Sequence, residues 1–332
     1  MFTTLKTLCK SSSVSGREEN IRKNLAELVS PFADEVYTDA LGNLIAHKKS
    51  SKKDAKKIIL CAHMDEIGFM VTFIEEDGFI RVAPIGGINP AAAAYSEVIS
   101  ERNVAGVIVP NSELKPADYA LDKFYIDVGA KNKKEAERKV SVGDFFVCRP
   151  SLTRLMGQKV CGRPLDDRIG CAVLLKLAEY FKENSPKNDV YYVFSVQEEV
   201  GCRGAKTAAF GISADYGLVF DVTGTGDTPS AKPMACKVGG GAAIKIKDNS
   251  VICHKDVVDC LISLAKENKI AHQCEILTYG GTDTSAIQMT GAGARVGALS
   301  IPTRYIHTST EMLDLGDAEA CVTLAIKFVE KI

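Results

Sequence analysis

Histidine is scarce in this 332-residue chain, and two of its five copies follow apolar runs: His63 after IILCA and His307 after VGALSIPTRYI. Runs of this kind are the pattern of strands buried on both faces, and open α/β sheets collect functional groups at the carboxyl ends of such strands. Acidic residues stand at equivalent places. Asp65 lies two residues past His63, Glu198 and Glu199 close VFSVQEE, and Asp221 sits in LVFDVT. The pair Asp166-Asp167 directly precedes an amphipathic segment. Singly, each has an ordinary reading: a strand-end histidine is usually structural, a Glu-Glu pair usually faces solvent, and Asp166 or Asp167 would serve as a helix N-cap. In their order along the chain they converge on one edge of one sheet. Burying so many carboxylates together is costly without cations. Imidazole and carboxylate without thiolate suit Zn²⁺, Co²⁺ or Mn²⁺, and the spacing in His63-Met64-Asp65 suits an acid that orients the imidazole.

The remaining residues of reactive type point elsewhere. His47, His254 and His272 lie outside these motifs and are expected at structural or surface positions, and Cys61 and Cys202 are expected to be packing groups. The eleven cysteines are odd in number and contain no CxxC pair, which argues against a zinc ribbon and for reduced thiols in a cytoplasm. A formal charge of −1 gives no push toward nucleic acid or an acidic membrane surface. The first twenty residues lack the apolar core of a signal peptide, and no stretch approaches the ~18 apolar residues of a membrane span.

The elements that must position these residues alternate between strand and helix at both ends of the chain. Residues 3–30 form an amphipathic helix in two pieces broken at Ser15-Gly16, with Ser15 and Glu18 at capping-box spacing. DALGNLIAH (39–47) is a turn and a short strand, SSKKDAKK (50–57) a charged loop, and the apolar run from 58 a buried strand. From about 70 to 158 the composition changes to short β-rich segments and frequent turns, with one short helix in NKKEAERKV, as in a small barrel or sandwich. Beyond 160 come a strong amphipathic helix (168–184), buried strands at 189–199 and 216–223, a strand and helix at 239–248 and 254–269, a strand at 294–302 and a closing helix at 317–332. The expected fold is therefore α/β: a mixed, largely parallel sheet flanked by helices, with residues 1–69 and 159–332 forming one discontinuous domain and residues 70–158 inserted as a small β-barrel.

The motifs AHMDEIGFMV (62–71), GRPLDDRIGC (162–171), VQEEVGCRGA (196–205), VFDVT (219–223), GGTDTSA (280–286) and IPTRYIHTSTEM (301–312) span most of the chain. In this order they resemble the TET-type metallo-aminopeptidases, the glutamyl and deblocking aminopeptidases that form tetrahedral shells. The resemblance implies a zinc-peptidase-like domain with two divalent metal ions per subunit. It implies that Asp166 bridges them, that His63 and Asp221 complete one site, and that Glu199 and His307 complete the other. It further implies Glu198 as general base, Asp65 as the residue that steadies His63, and a cis peptide between Asp166 and Asp167. The substrates would be short peptides, and the assembly a dodecamer built from dimers, with the insert at 70–158 making contacts. One segment departs from the pattern: where family members often carry a Lys-Pro-Pro-His stretch, this chain has LKPADYAL, and the alanine run 91–94 has no functional reading.

Three other readings fit parts of the pattern. An amidase or deacylase of N-acyl amino acids could use the same metal site. A glycoside hydrolase needs two carboxylates but no metal. A non-catalytic scaffold would be expected to lose Glu198 or a ligand, and all are present. The preferred N-terminal residue and the native metal are not legible in the sequence.

Overall fold

The computed structural model describes residues 1–332. Four strands form the centre of the large sheet: Asp189–Ser195, Lys57–His63, Tyr216–Thr223 and Arg295–Arg304, adjacent in that order and mutually parallel. Their continuous Ile, Val, Leu and Phe runs are what burial on both faces requires. Antiparallel strands extend the sheet on both sides. Leu44–Lys48 and Glu35–Thr38 lie beyond Asp189–Ser195, and Glu311–Asp314, Lys159–Arg163 and Ser151–Arg154 beyond Arg295–Arg304. Ala242–Lys247 also pairs with Arg295–Arg304 and carries His272–Ile276 at its far edge, bringing the sheet to eleven strands.

Helices flank the sheet. Arg168–Glu183 packs against the central strands and against the closing helix Leu315–Lys331, while Arg203–Ile212 and Asp283–Gln288 pack on each other and on the same strands. The helix expected over 168–184 is almost wholly buried through its first turns, because the sheet lies under one side and other helices over the other.

The chain leaves the large sheet after His63 and returns to it at Ser151. In between, strands Gly68–Ile74, Ile80–Ile85, Glu97–Ser100, Ala105–Pro110, Phe124–Asp127 and Phe145–Cys148 close a six-stranded antiparallel barrel. Fifteen buried side chains, including Phe69, Phe124 and Phe146, fill it as a hydrophobic cluster separate from the one under the large sheet. The hairpin Ser151–Arg154/Lys159–Arg163 belongs to the large sheet, so the barrel's last strand ends before it. The four alanines lie in and just past a single helical turn, Pro90–Ala93, capped by the Asn89 side chain. No helix is long and apolar enough to cross a membrane.

The capping-box expectation at Ser15 and Glu18 is corrected. Glu18 occupies the N-cap position of helix Glu19–Val29 without a side-chain cap bond. Its carboxylate accepts the Gly16 and Gln197 amides at 2.7 and 3.2 Å, and the Ser15 hydroxyl donates to Asp65 at 2.6 Å. The Ser15 hydroxyl is taken by a distant partner, while Glu18 shares one oxygen between the local Gly16 amide and the distant Gln197 amide.

Candidate active site

Strand pairing brings the first candidate ligands together. Ser195 pairs with His63, and Val219 pairs with Cys61, so Asp221 stands level with His63 at the carboxyl end of the parallel strands. Glu198 and Glu199 follow the end of strand Asp189–Ser195, in a turn that holds Gln197 and Cys202 in the left-handed region (φ 57° and 53°). Asp166 precedes helix Arg168–Glu183, and its peptide bond to Asp167 is cis. Asp167 is the N-cap, accepting the Gly170 amide at 3.0 Å. His307 follows strand Arg295–Arg304 with φ 62°.

Asp166 lies at the centre. Its Oδ1 is 3.0 Å from His63 Nε2, and its Oδ2 is 3.3 Å from His307 Nε2. His63 Nε2 is also 3.8 Å from Asp221 Oδ1, and His307 Nε2 is 3.3 Å from Glu199 Oε2. Both imidazoles are anchored through Nδ1 to a main-chain carbonyl: His63 to Asp65 O at 3.1 Å and His307 to Gly87 O at 2.7 Å. That leaves each Nε2 turned to the carboxylates, the arrangement a metal-ligating histidine needs. Gly86, at φ +75°, lets this loop approach, because a Cβ there would stand 2.6 Å from Ile67 and 3.2 Å from Glu199.

The electrostatics fit a cation. Burial raises the pKa of Glu199 and Asp221 and pushes Glu198 well above the usual carboxylate range. Burial alone would lower His63, but Asp166, Asp221 and Asp65 overcome it and hold the imidazole well above its ordinary value. His307 likewise has burial opposed by Asp166 and Glu199 and is pushed up to about 11. The carboxylates thus call for positive charge at Nε2 of each ring. His63, Asp166 and Glu199 offer ligand atoms within 4.8 Å of one another, as do His63, Asp167 and Asp221. Divalent ions would meet the same demand with more charge, displacing those protons.

Asp65 does not line the cavity. Its Oδ1 accepts the Glu198 amide at 3.0 Å, its Oδ2 the Glu199 amide at 3.2 Å, and its carboxylate is 3.5 Å from His63 Nδ1. It is a positioning group for both glutamates as much as for His63.

Four further residues of the site were not singled out from the sequence. Glu311, buried, accepts the amides of Leu165 and Asp166 on Oε2 at 2.6 and 3.1 Å and that of His307 on Oε1 at 3.2 Å. Arg163 lies 3.6 Å from it and 3.7 Å from buried Glu66. Asp283, inside the GGTDTSA motif, accepts from the Ser195 hydroxyl and the Cys61 thiol. Cys202, expected to be a packing group, lines the cavity and donates its thiol to Glu198 Oε1 at 3.3 Å. All four lie inside the motifs, so motif membership was a signal for each, but nothing in the residue type of Cys202 marked a role. His47 stacks on Tyr191 with ring centroids 4.0 Å apart, His254 caps helix Lys255–Glu267, and His272 opens an edge strand, all away from the site. All eleven cysteines are unpaired.

A model of the M42 glutamyl aminopeptidase family matches residues 42–324. The chain is 43% identical over 330 residues to a protein of Acetivibrio thermocellus whose aminopeptidase name is inferred, covering 99% of this chain and 98% of that one. It is 33% identical to the lysyl aminopeptidase of Pyrococcus furiosus over 99% of this chain and 96% of that one. Among solved structures, the TET1 peptidase of Pyrococcus horikoshii, described as able to assemble into a tetrahedron or a large octahedral shell, superposes with a TM-score of 0.89 at 32% identity, covering 100% of this chain and 99% of that one.

Proposed function

The chain belongs to the M42 glutamyl aminopeptidase family and is a hydrolase of the aminopeptidase class, and from that premise we propose that it removes N-terminal residues from short peptides using two divalent ions. The observation that carries this reading is the division of Asp166, one oxygen toward His63 and the other toward His307. On it, Asp166 with His63 and Asp221 would hold one ion, and Asp166 with Glu199 and His307 would hold the other. Zn²⁺, Co²⁺ and Mn²⁺ all suit this donor set.

Such ions would acidify the attacking water and polarise the scissile carbonyl. The chain's own residues do the rest. Glu198 takes the water's proton and returns it to the leaving amine; burial raises the pKa of its carboxyl, which makes the ionised carboxylate a stronger base. The Cys202 thiol and the Asp65-held backbone keep its carboxylate in one place. The free α-amine of the peptide is received among the acidic ligands, which confines cleavage to N-termini.

We assign residues 70–158 to assembly, with twelve subunits built from dimers and a cytoplasmic setting. The Pyrococcus horikoshii relative's shells support the assembly, and eleven unpaired cysteines support a reducing compartment.

The test is a comparison of metal-stripped and reconstituted enzyme on aminoacyl p-nitroanilides, N-acyl amino acids and a soluble cellulose derivative. Metal-dependent release from the first class alone is expected. Cleavage of N-acyl amino acids alone would indicate the amidase reading, and metal-independent glycoside cleavage the glycosidase.

A further inference from the structure

The cavity over the ligand cluster has a volume of about 700 Å³. Beyond the ligand cluster and Glu198, a single charged side chain lines it, Arg304. That guanidinium is already engaged. Its Nε donates to Asp227 Oδ1 at 3.0 Å and its Nη2 to Asp227 Oδ2 at 2.7 Å, a two-bond fork. Asp227 is itself fixed by the Val238 amide at 3.0 Å. Arg304 beside it holds its carboxyl down to about 2, so the pair stays ionised and jointly neutral.

The rest of the wall carries no further charged side chain, although Thr225, Thr228, Thr282 and Tyr305 line it with hydroxyls. Val222, Leu277, Tyr279 and Ile306 supply apolar surface. The hydroxyls of Thr223 and Thr303 are committed to the protein, donating to Glu275 at 2.9 Å and to the Ile301 carbonyl at 3.0 Å. A substrate ammonium would find no carboxylate outside the ligand cluster. A substrate carboxylate would find its one candidate partner occupied. A charge desolvated without a partner is strongly disfavoured.

Resting on the aminopeptidase reading, we infer that this enzyme selects N-terminal residues with uncharged side chains, and that Asp227, by occupying Arg304, is what excludes acidic ones. The preference is therefore for neither a glutamyl nor a lysyl terminus. Arg304 and Asp227 act as specificity determinants and take no part in bond cleavage.

The holoenzyme is assayed on the p-nitroanilides of Leu, Met, Phe, Glu and Lys. The best neutral substrate should exceed both charged ones in kcat/KM by about tenfold or more, the scale at which an unpaired polar group discriminates. A smaller margin overturns the inference while leaving the aminopeptidase reading intact. Failure to cleave any of the five removes that reading and the inference with it. Titration calorimetry of free L-leucine, L-glutamate and L-lysine with the same holoenzyme should give the same order without turnover; a reversed order overturns the inference. Asp227→Asn should free the guanidinium and raise the Glu-to-Leu ratio of kcat/KM by about fivefold or more. An unchanged ratio in a folded variant overturns the role of Asp227. Should that variant not fold, Arg304→Met serves instead: its Glu-to-Leu ratio should not rise, since no cation is left to receive the acid, and a rise overturns the assignment.

Discussion

Asp65 stands 133 residues before Glu198 and accepts its amide at 3.0 Å. Its other oxygen takes the Glu199 amide at 3.2 Å and the Ser15 hydroxyl at 2.6 Å. One buried carboxylate thus sets the turn on which the proposed base and a proposed ligand both stand. Asp65→Asn keeps the size but offers one acceptor oxygen and places an NH₂ against an N–H donor. We expect turnover or metal affinity to fall by about 10–100-fold, as for other groups that orient ligands. Ser15→Ala, which removes one donor of three, should cost much less. Equal losses in the two variants, read by kcat and metal titration, would contradict this geometry.

The two glutamates should separate by what they lose. Glu198→Gln cannot accept the water's proton, so turnover should fall by roughly a hundredfold or more, with metal content unchanged. Glu199→Gln should instead weaken the metal shared with His307, and added metal should restore part of its activity. Turnover and bound metal measured on the same preparations decide the matter. Metal loss in Glu198→Gln but not in Glu199→Gln reverses the roles.

Metal stoichiometry follows from the split of Asp166 between His63 and His307. Reconstituted protein should bind two ions per chain, roughly 3.5–4 Å apart, by elemental analysis and X-ray absorption. Saturation at one ion would sink the two-metal proposal.

Glu311 does not line the cavity, yet it holds the amides of Asp166 and His307 on opposite oxygens. Burial pushes its carboxyl up to about 7 against the pull of Arg163. Glu311→Ala leaves three amides without an acceptor and removes one of the two carboxylates beside the Arg163 guanidinium. We expect a loss of stability of about 3 kcal/mol or more, the scale for breaking a buried ionic network, and weakened binding of both metals. Denaturation and metal titration that match the parent protein would show that Glu311 does not organise the site.

Assembly is checked by light scattering with metal present. A mass near twelve times 35.7 kDa is expected. A monomer would contradict the shell, while a dimer would leave the active site untouched and remove the twelve-subunit assembly.

Local pattern in the sequence was enough for the sheet and for the main candidate ligands. Continuous apolar runs mark strands buried on both faces, and His63 and Asp221 stand at or near their carboxyl ends, where the fold must expose something polar. The motifs in order carried the family, and with it the expected pairing around Asp166. What tertiary structure alone decided is the set of bonds between residues far apart in the chain. Ser15 and Glu18 have the spacing of a cap, but they bond to Asp65 and to the Gln197 amide because the fold brings those groups within reach. Cys202 looks like packing until the turn after Ser195 swings its thiol onto Glu198. The fork between Asp227 and Arg304, 77 residues apart, has no local signature at all. Periodicity encodes which face of an element is buried; it does not encode which buried polar groups will satisfy each other, since that depends on distances set only when the elements pack.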